Sequence, residues 1–89
     1  MHILKGIAEV KNFENSTPHV HITFSTPFKN PPEILVSMCG MDAKVAGVNS
    51  LRLLVNAANI TNEGFDVTFC TWADSYFYEA AANWIAFGQ

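Results

Sequence analysis

The sequence predicts an all-β domain of about six short antiparallel strands, on two observations. Turn signals recur at regular short intervals, and the segments between them alternate apolar and polar residues with period two. The turns are Asn15-Ser16-Thr17-Pro18, Lys29-Asn30-Pro31-Pro32, Ala46-Gly47-Val48-Asn49, Thr61-Asn62-Glu63-Gly64 and Ala73-Asp74-Ser75. Short strands punctuated in this way build a sandwich or a barrel. The 89 residues suffice for a single domain over 1–89 and are too few for two. With 49% apolar and 12% aromatic residues they can pack a core.

Strands are expected at roughly 3–11, 19–25, 33–40, 50–58, 64–71 and 77–87. In the second, Val20, Ile22 and Phe24 share one face. The third is an apolar run from Glu33 to Met41, with Ile34, Val36 and Met38 on one side and Leu35 and Cys39 on the other. The fourth places Leu51, Leu53, Val55 and Ala57 on one face and Arg52, Leu54 and Asn56 on the other. Phe65 to Phe69 alternates cleanly. The last segment contains Glu79-Ala80-Ala81-Ala82-Asn83, where a short helix competes. Its aromatic flanks, Tyr76, Phe77, Tyr78 and Trp84, favour strand, and Trp84 is assigned to the core.

Several strands are apolar on both faces, which a sheet with one wet face should not be. A domain this small has a large surface for its volume. A second copy of the same chain is therefore the expected cover for the outer face.

The net charge is −3, and the five basic residues, Lys5, Lys11, Lys29, Lys44 and Arg52, form no stripe. Nucleic acid and insertion into a membrane are not expected. The N-terminus lacks a signal-peptide pattern. The chain is thus expected to be cytoplasmic, non-classically secreted, or a mature form whose leader has been removed. Cys39 and Cys70 fall inside predicted strands and are expected as buried free thiols, with one disulfide as the alternative. His19 and His21 lie on one strand face, but two ligands do not make a zinc site; no metal and no cofactor are expected. Asn15-Ser16-Thr17 and Asn59-Ile60-Thr61 match the glycosylation sequon. Asp42 reads as a turn residue at a strand end. No phosphate loop, nucleophile elbow or cleft with paired carboxylates is visible, so the chain is not expected to be an enzyme.

A family pattern runs through these segments. Phe24-Ser25-Thr26-Pro27-Phe28 and Pro31-Pro32 open it; Val36-Ser37, Met41-Asp42, Leu51-Arg52, Gly64-Phe65 and Thr71-Trp72 follow; Tyr78 and Trp84-Ile85-Ala86 close it. In order and spacing this resembles the H-type lectin domain of snail agglutinins and of the C-terminal part of discoidins, over about three quarters of the chain. The resemblance implies a six-stranded antiparallel β-sandwich assembled as a homotrimer or a dimer of trimers. It implies recognition of terminal N-acetylgalactosamine or galactose near protomer boundaries, with neither metal nor catalysis. Arg52 matches the family's sugar-binding arginine, Trp72 the tryptophan of its Thr-Trp pair and Tyr78 the tyrosine that follows. Ala73 stands where one well-known member has a histidine. The family's early aspartate is missing, and Glu14 or Asn15 is the nearest substitute.

These residue types suit a pyranose, which offers hydroxyls and an apolar C–H face. Arg52 is a planar donor charged at every relevant pH. Trp72 or Tyr78 supplies a flat wall with a polar tip. Glu14, Asn15 or Asp74 can accept from hydroxyls. Each has a plainer reading, Arg52 as a solvated surface group and Trp72 and Tyr78 as packing aromatics. The expected function is a multivalent galactose-type lectin acting in adhesion, agglutination or defence. The alternative is a structural oligomerisation module that keeps the fold without the sugar site.

Overall fold

The computed structural model describes residues 1–45 and 50–89. Its six strands are β1 (His2–Glu14), β2 (His19–Thr23), β3 (Glu33–Val45), β4 (Leu54–Ala58), β5 (Gly64–Cys70) and β6 (Ser75–Gly88). They form two three-stranded antiparallel sheets, ordered β1-β6-β3 and β2-β5-β4. The described residues contain no helix, so the helical alternative at 79–83 gives way to strand pairing on both sides of β6.

The sheets meet through their central strands. Phe65, Val67 and Phe69 of β5 and Phe77, Ala80, Ala82 and Ala86 of β6 are all fully buried. The alanines leave room for the large rings opposite, an interdigitation that holds interior density without strain. Aromatic side chains gather at the two ends. Phe13 stacks on Phe77 at 5.1 Å and meets Phe69 edge-on at 6.4 Å. At the other end Phe24, Phe28, Phe65 and Trp84 lie at centroid distances of 5.0–6.2 Å. Trp84 lies in the core, as its apolar strand predicts.

The strands differ from the expected bounds in informative ways. β4 begins at Leu54, so Ser50 to Leu53 are not strand and Arg52 precedes it. Hydrogen bonds to the turn before β6, described below, take up the backbone there. β3 runs on to Val45, so Asp42 is a strand residue opposite Glu79 and not a turn residue. Register shifts at Met38/Gly40 and Asp42/Ala43 bend this strand. The first leaves Cys39 as an unpaired extra residue, the mark of a bulge. Cys39 is therefore exposed and Cys70 half-buried; both thiols are free, but neither is the buried thiol expected. Met38, expected beside Ile34 and Val36, is 48% exposed, whereas those two pack against the core. The expected turn at Ala46 to Asn49 lies outside the described residues.

Opposite the second shift, β6 slips phase. Ser75 and Phe77 point inwards, then Ala80, Ala82, Trp84 and Ala86. Tyr78 and Glu79 thus both face outwards. Long β1, β3 and β6 make an elongated body of 49 × 19 × 16 Å. Its radius of gyration is 14.3 Å, against about 12 Å for a compact chain of this length.

The packing around Gly6 is tight. A Cβ there would lie 2.7 Å from Cζ2 and 2.8 Å from Nε1 of Trp84. Gly6→Ala must displace the indole and is expected to cost about 1–3 kcal/mol. The check is thermal unfolding, where each kcal/mol lowers Tm by about 4–8 °C; an unchanged Tm would mean that the ring moves freely. The outer face of β2-β5-β4 adds a pH-dependent contribution. Asp66 accepts from Asn59 Nδ2 at 2.8 Å and lies 2.7 Å from His21 Nδ1. These hydrogen bonds, Asn59 first, hold its carboxyl below the ordinary aspartate range. A folded-state pKa that is depressed contributes stability above the unfolded value near 3.9 and loses it as pH falls through the folded one. Urea unfolding of wild type against Asp66→Asn should show a wild-type advantage at pH 6 that disappears in strong acid.

Candidate functional site

The candidate site is built on the turn between β5 and β6, at the end of the sandwich where β1 runs into β2. Ala73 and Asp74 have φ of 60° and 56°, and Ser75 N–H bonds back to the Trp72 carbonyl at 3.4 Å. Two consecutive positive φ values are the pattern of a type I′ turn, which favours Asn and Gly. An alanine there stores roughly 1–3 kcal/mol of strain that the surroundings must hold in place.

Two buried hydroxyls flank the turn. Thr71 Oγ1 donates to the Arg52 carbonyl at 2.6 Å. Ser75 Oγ accepts from Arg52 N–H at 3.0 Å and donates to the Ser50 carbonyl at 3.3 Å. Both residues are at most 2% exposed, and a buried polar group without its partner is costly. The backbone of Arg52 is therefore clamped beside Trp72 from both sides. The side chains that follow from this clamp are free to act: Arg52 is exposed and Trp72 is 42% exposed. Among the described residues no carboxylate lies within salt-bridge distance of Arg52.

A second latch brings in the β1–β2 connection. Asn15, with φ of 44°, donates from Nδ2 to Asp74 Oδ1 at 3.1 Å and accepts from Asp74 N–H at 3.1 Å. Asn15, Trp72, Ala73, Asp74 and Arg52 thus share one end of the molecule. Glu14 is paired with Tyr76 at the margin of this end.

Tyr78 is placed differently. It is 42% exposed on the outer face of the β1-β6-β3 sheet, in alternation with inward Phe77 and on the same face as Tyr76. Its ring meets Tyr76 edge-on at 5.1 Å. Lys44 Nζ lies over both, 5.9 Å from the Tyr76 ring and 5.8 Å from that of Tyr78. Tyr76 OH donates to Asn12 Oδ1 at 3.4 Å. Thr71, Ser75, Tyr76 and Lys44 were not among the site residues expected from sequence. The Tyr-x-Tyr spacing hinted at a shared face, but Lys44 joins it only through the pairing of β3 with β6.

The same outer sheet face carries an open groove of about 590 Å³ lined by Lys5, Gly6, Ile7, Ser37, Asn83, Trp84 and Ile85. It lies along the strands and away from the turn, so it is not the candidate site. Among the described residues no three His, Cys, Asp or Glu side chains converge as a metal-ligand set. No helix of the structure is long and apolar enough to cross a membrane.

Comparison with known proteins agrees with this fold. The family model for the H-type lectin domain matches residues 19–87. A Fuscovulum blasticum protein described as ATP synthase subunits region ORF 7 is 41% identical over 70 residues, covering 76% of this chain and 57% of that protein. Discoidin-1 of Dictyostelium discoideum is 33% identical over 67 residues, covering 75% of this chain and 26% of that protein. Recombinant discoidin II of the same organism superposes with a TM-score of 0.85 at 23% identity, covering 96% of this chain and 36% of that one. The tailspike of Pseudomonas phage phi297 shares the fold at a TM-score of 0.71 and 16% identity, over 94% of this chain and 15% of its own. The chain spans under two thirds of each of these proteins. From the match over most of its length, the chain belongs to the H-type lectin domain family, whose members are carbohydrate-binding domains.

Proposed function

We propose that this domain is a multivalent lectin for terminal N-acetylgalactosamine or galactose, acting in adhesion, agglutination or defence by binding without turnover. The observation that carries this reading is the clamp that holds Arg52 beside Trp72. A guanidinium donating to sugar hydroxyls forms charge-assisted hydrogen bonds, stronger than neutral ones. The exposed Trp72 face offers the apolar wall that the C–H side of a galactose needs. Asp74, Asn15 and Glu14 supply acceptors, and Tyr78 a second wall on the adjoining face. A single such site is weak, about millimolar to 10 µM, or roughly 4–7 kcal/mol.

The outer face of β1-β6-β3 supports the multivalent part of this reading. Ile3 and Ile7 are 60% and 64% exposed, and Leu35 and Ile85 are 60% and 42% exposed. Register puts Lys5, Ile85 and Leu35 in one row across the sheet and Ile7, Asn83 and Ser37 in the next. An apolar surface of this kind on a long, thin protomer is an association surface. Three protomers joined by it would form the homotrimer, and two such trimers the dimer of trimers, that this reading requires. Linked sites then gain strength on a glycan-coated surface through effective concentration.

The alternative is a structural oligomerisation module, favoured by Ala73 in place of a polar side chain and by the presence of this fold in a phage tailspike. A glycan array separates the two: signal on terminal galactosides supports the lectin, and a blank across a broad array leaves the structural module. Arg52→Ala should reduce affinity about tenfold to a hundredfold, from the loss of charge-assisted bonds of about 1.5–3 kcal/mol, with circular dichroism unchanged. Light scattering at micromolar concentration should give about three or six times the 9.8 kDa protomer mass. Ile7→Glu should shift it towards the monomer; a wild-type monomer would defeat the trimer.

A further inference from the structure

Beyond the apolar rows of the outer β1-β6-β3 face lies an acidic step. Register runs Ile7, Asn83 and Ser37 across the sheet, then Glu9, Ala81 and Gly40, then Lys11, Glu79 and Asp42. Successive rows on one face are about 6.6 Å apart, so Glu9 stands one row from Ile7 and within reach of any partner that covers it. Ala81 and Gly40 have no bulk to hold a partner off. With Met41, Asp42 and Glu79 they line a shallow hollow of about 220 Å³. Glu79 is half-buried beside it, while Glu9 and Asp42 are exposed.

Three carboxyl groups therefore crowd one part of this face. From β1 they are faced by Lys11, opposite Glu79, and from β3 by Lys44, whose ammonium lies over the Tyr76 and Tyr78 rings. Among the described residues neither lysine comes within salt-bridge distance of a carboxylate. Glu79 instead shares a hydrogen bond with Glu9, which two carboxyl groups can make only when one of them carries a proton. That bond, and then the repulsion between the two charges, raises the Glu79 carboxyl above the ordinary glutamate range, while Lys11 opposes the shift. The histidines stand apart from this cluster: His19 and His21 belong to β2 in the other sheet, and His2 packs on Phe28.

Resting on the self-association read above, we propose that the Glu9 and Glu79 pair makes assembly through this face pH-dependent, tight when the pair holds a proton and weak when both carboxylates are charged. Covering the pair with a second copy strips water from it, and a buried charge without a partner is costly. In a symmetric ring the same cost recurs at every protomer boundary. Holding a proton, the pair is hydrogen-bonded within itself and can be covered. The sign follows from linkage: a carboxyl whose pKa is raised gives up its proton as pH rises through that value, so assembly holds below it and is lost above it. The affinity of a single sugar site is untouched. What pH sets is the number of sites joined, and with it the strength on a glycan surface.

Sedimentation equilibrium of the wild-type protein at about pH 5 and about pH 8 tests this. The oligomer should dissociate at a concentration about tenfold lower at the alkaline value's acid counterpart than at the alkaline value itself, that is, it should be the tighter assembly at about pH 5. Glu9→Gln and Glu79→Gln each remove one charge and keep a side chain able to hydrogen-bond, so either should assemble tightly at both values, with circular dichroism unchanged. Glu63→Gln removes a charge from the turn between β4 and β5, in the other sheet, and should leave the tenfold ratio in place. Equal association of the wild type at both values would overturn the switch and leave the oligomer standing. A ratio that survives both glutamine variants of the pair would overturn the assignment to Glu9 and Glu79. A wild-type monomer at both values would instead overturn the self-association itself, and the proposal with it.

Discussion

Face-to-face burial of β5 against β6 is the contact on which the structure depends. Each is the middle strand of its own sheet, so each is hydrogen-bonded on both edges and packed over its inner face. They are also consecutive in the chain. The turn that joins them is held at both ends by strands that cannot move without opening the core. Placing Trp72, Ala73 and Asp74 on that turn gives the candidate site, although on a loop, the rigidity of a strand, and a rigid loop avoids an ordering cost on binding. The Thr71 and Ser75 hydroxyls extend this rigidity to Arg52, on a different part of the chain.

The fold was largely legible in the sequence, and the reasons are local. Period-two alternation over Val20, Ile22 and Phe24, and over Phe65, Val67 and Phe69, reports which face is buried, and both sets pack inward. What alternation cannot report is whether a segment pairs. Ser50 to Leu53 carries the pattern of a strand, yet its backbone is bonded to Thr71 and Ser75 side chains some twenty residues away. Likewise the bulge at Cys39 and the phase slip at Tyr78 come from matching a curved β3 to β6. Nothing in the neighbouring residues announces either one.

The site was legible in part. Arg52 and Trp72 were proposed from a pattern spread over most of the chain, and Asp74 from its capacity to accept from hydroxyls. The structure adds why they hold together: hydroxyl clamps and an asparagine latch made by Thr71, Ser75 and Asn15. Short polar residues are common in turns for many reasons, so their pairing was invisible until the strands were placed. Tyr78 shows the opposite case. Its position was flagged and its even spacing from Tyr76 hinted at a shared face, but only the pairing of β3 with β6 shows Lys44 above both rings.

The long sheet has a further consequence. Within a protomer β1 and β3 are its margins, each 13 residues long and each with one row of backbone donors and acceptors turned to the outside. Margins of this length invite the addition of further strands and the growth of fibres. Lys5, Glu9 and Lys11 punctuate one margin, and Glu33, Asp42 and Lys44 the other. The bulge at Cys39 interrupts the second. Charges and kinks at these points let the domain expose an apolar sheet face while discouraging uncontrolled polymerisation along its borders.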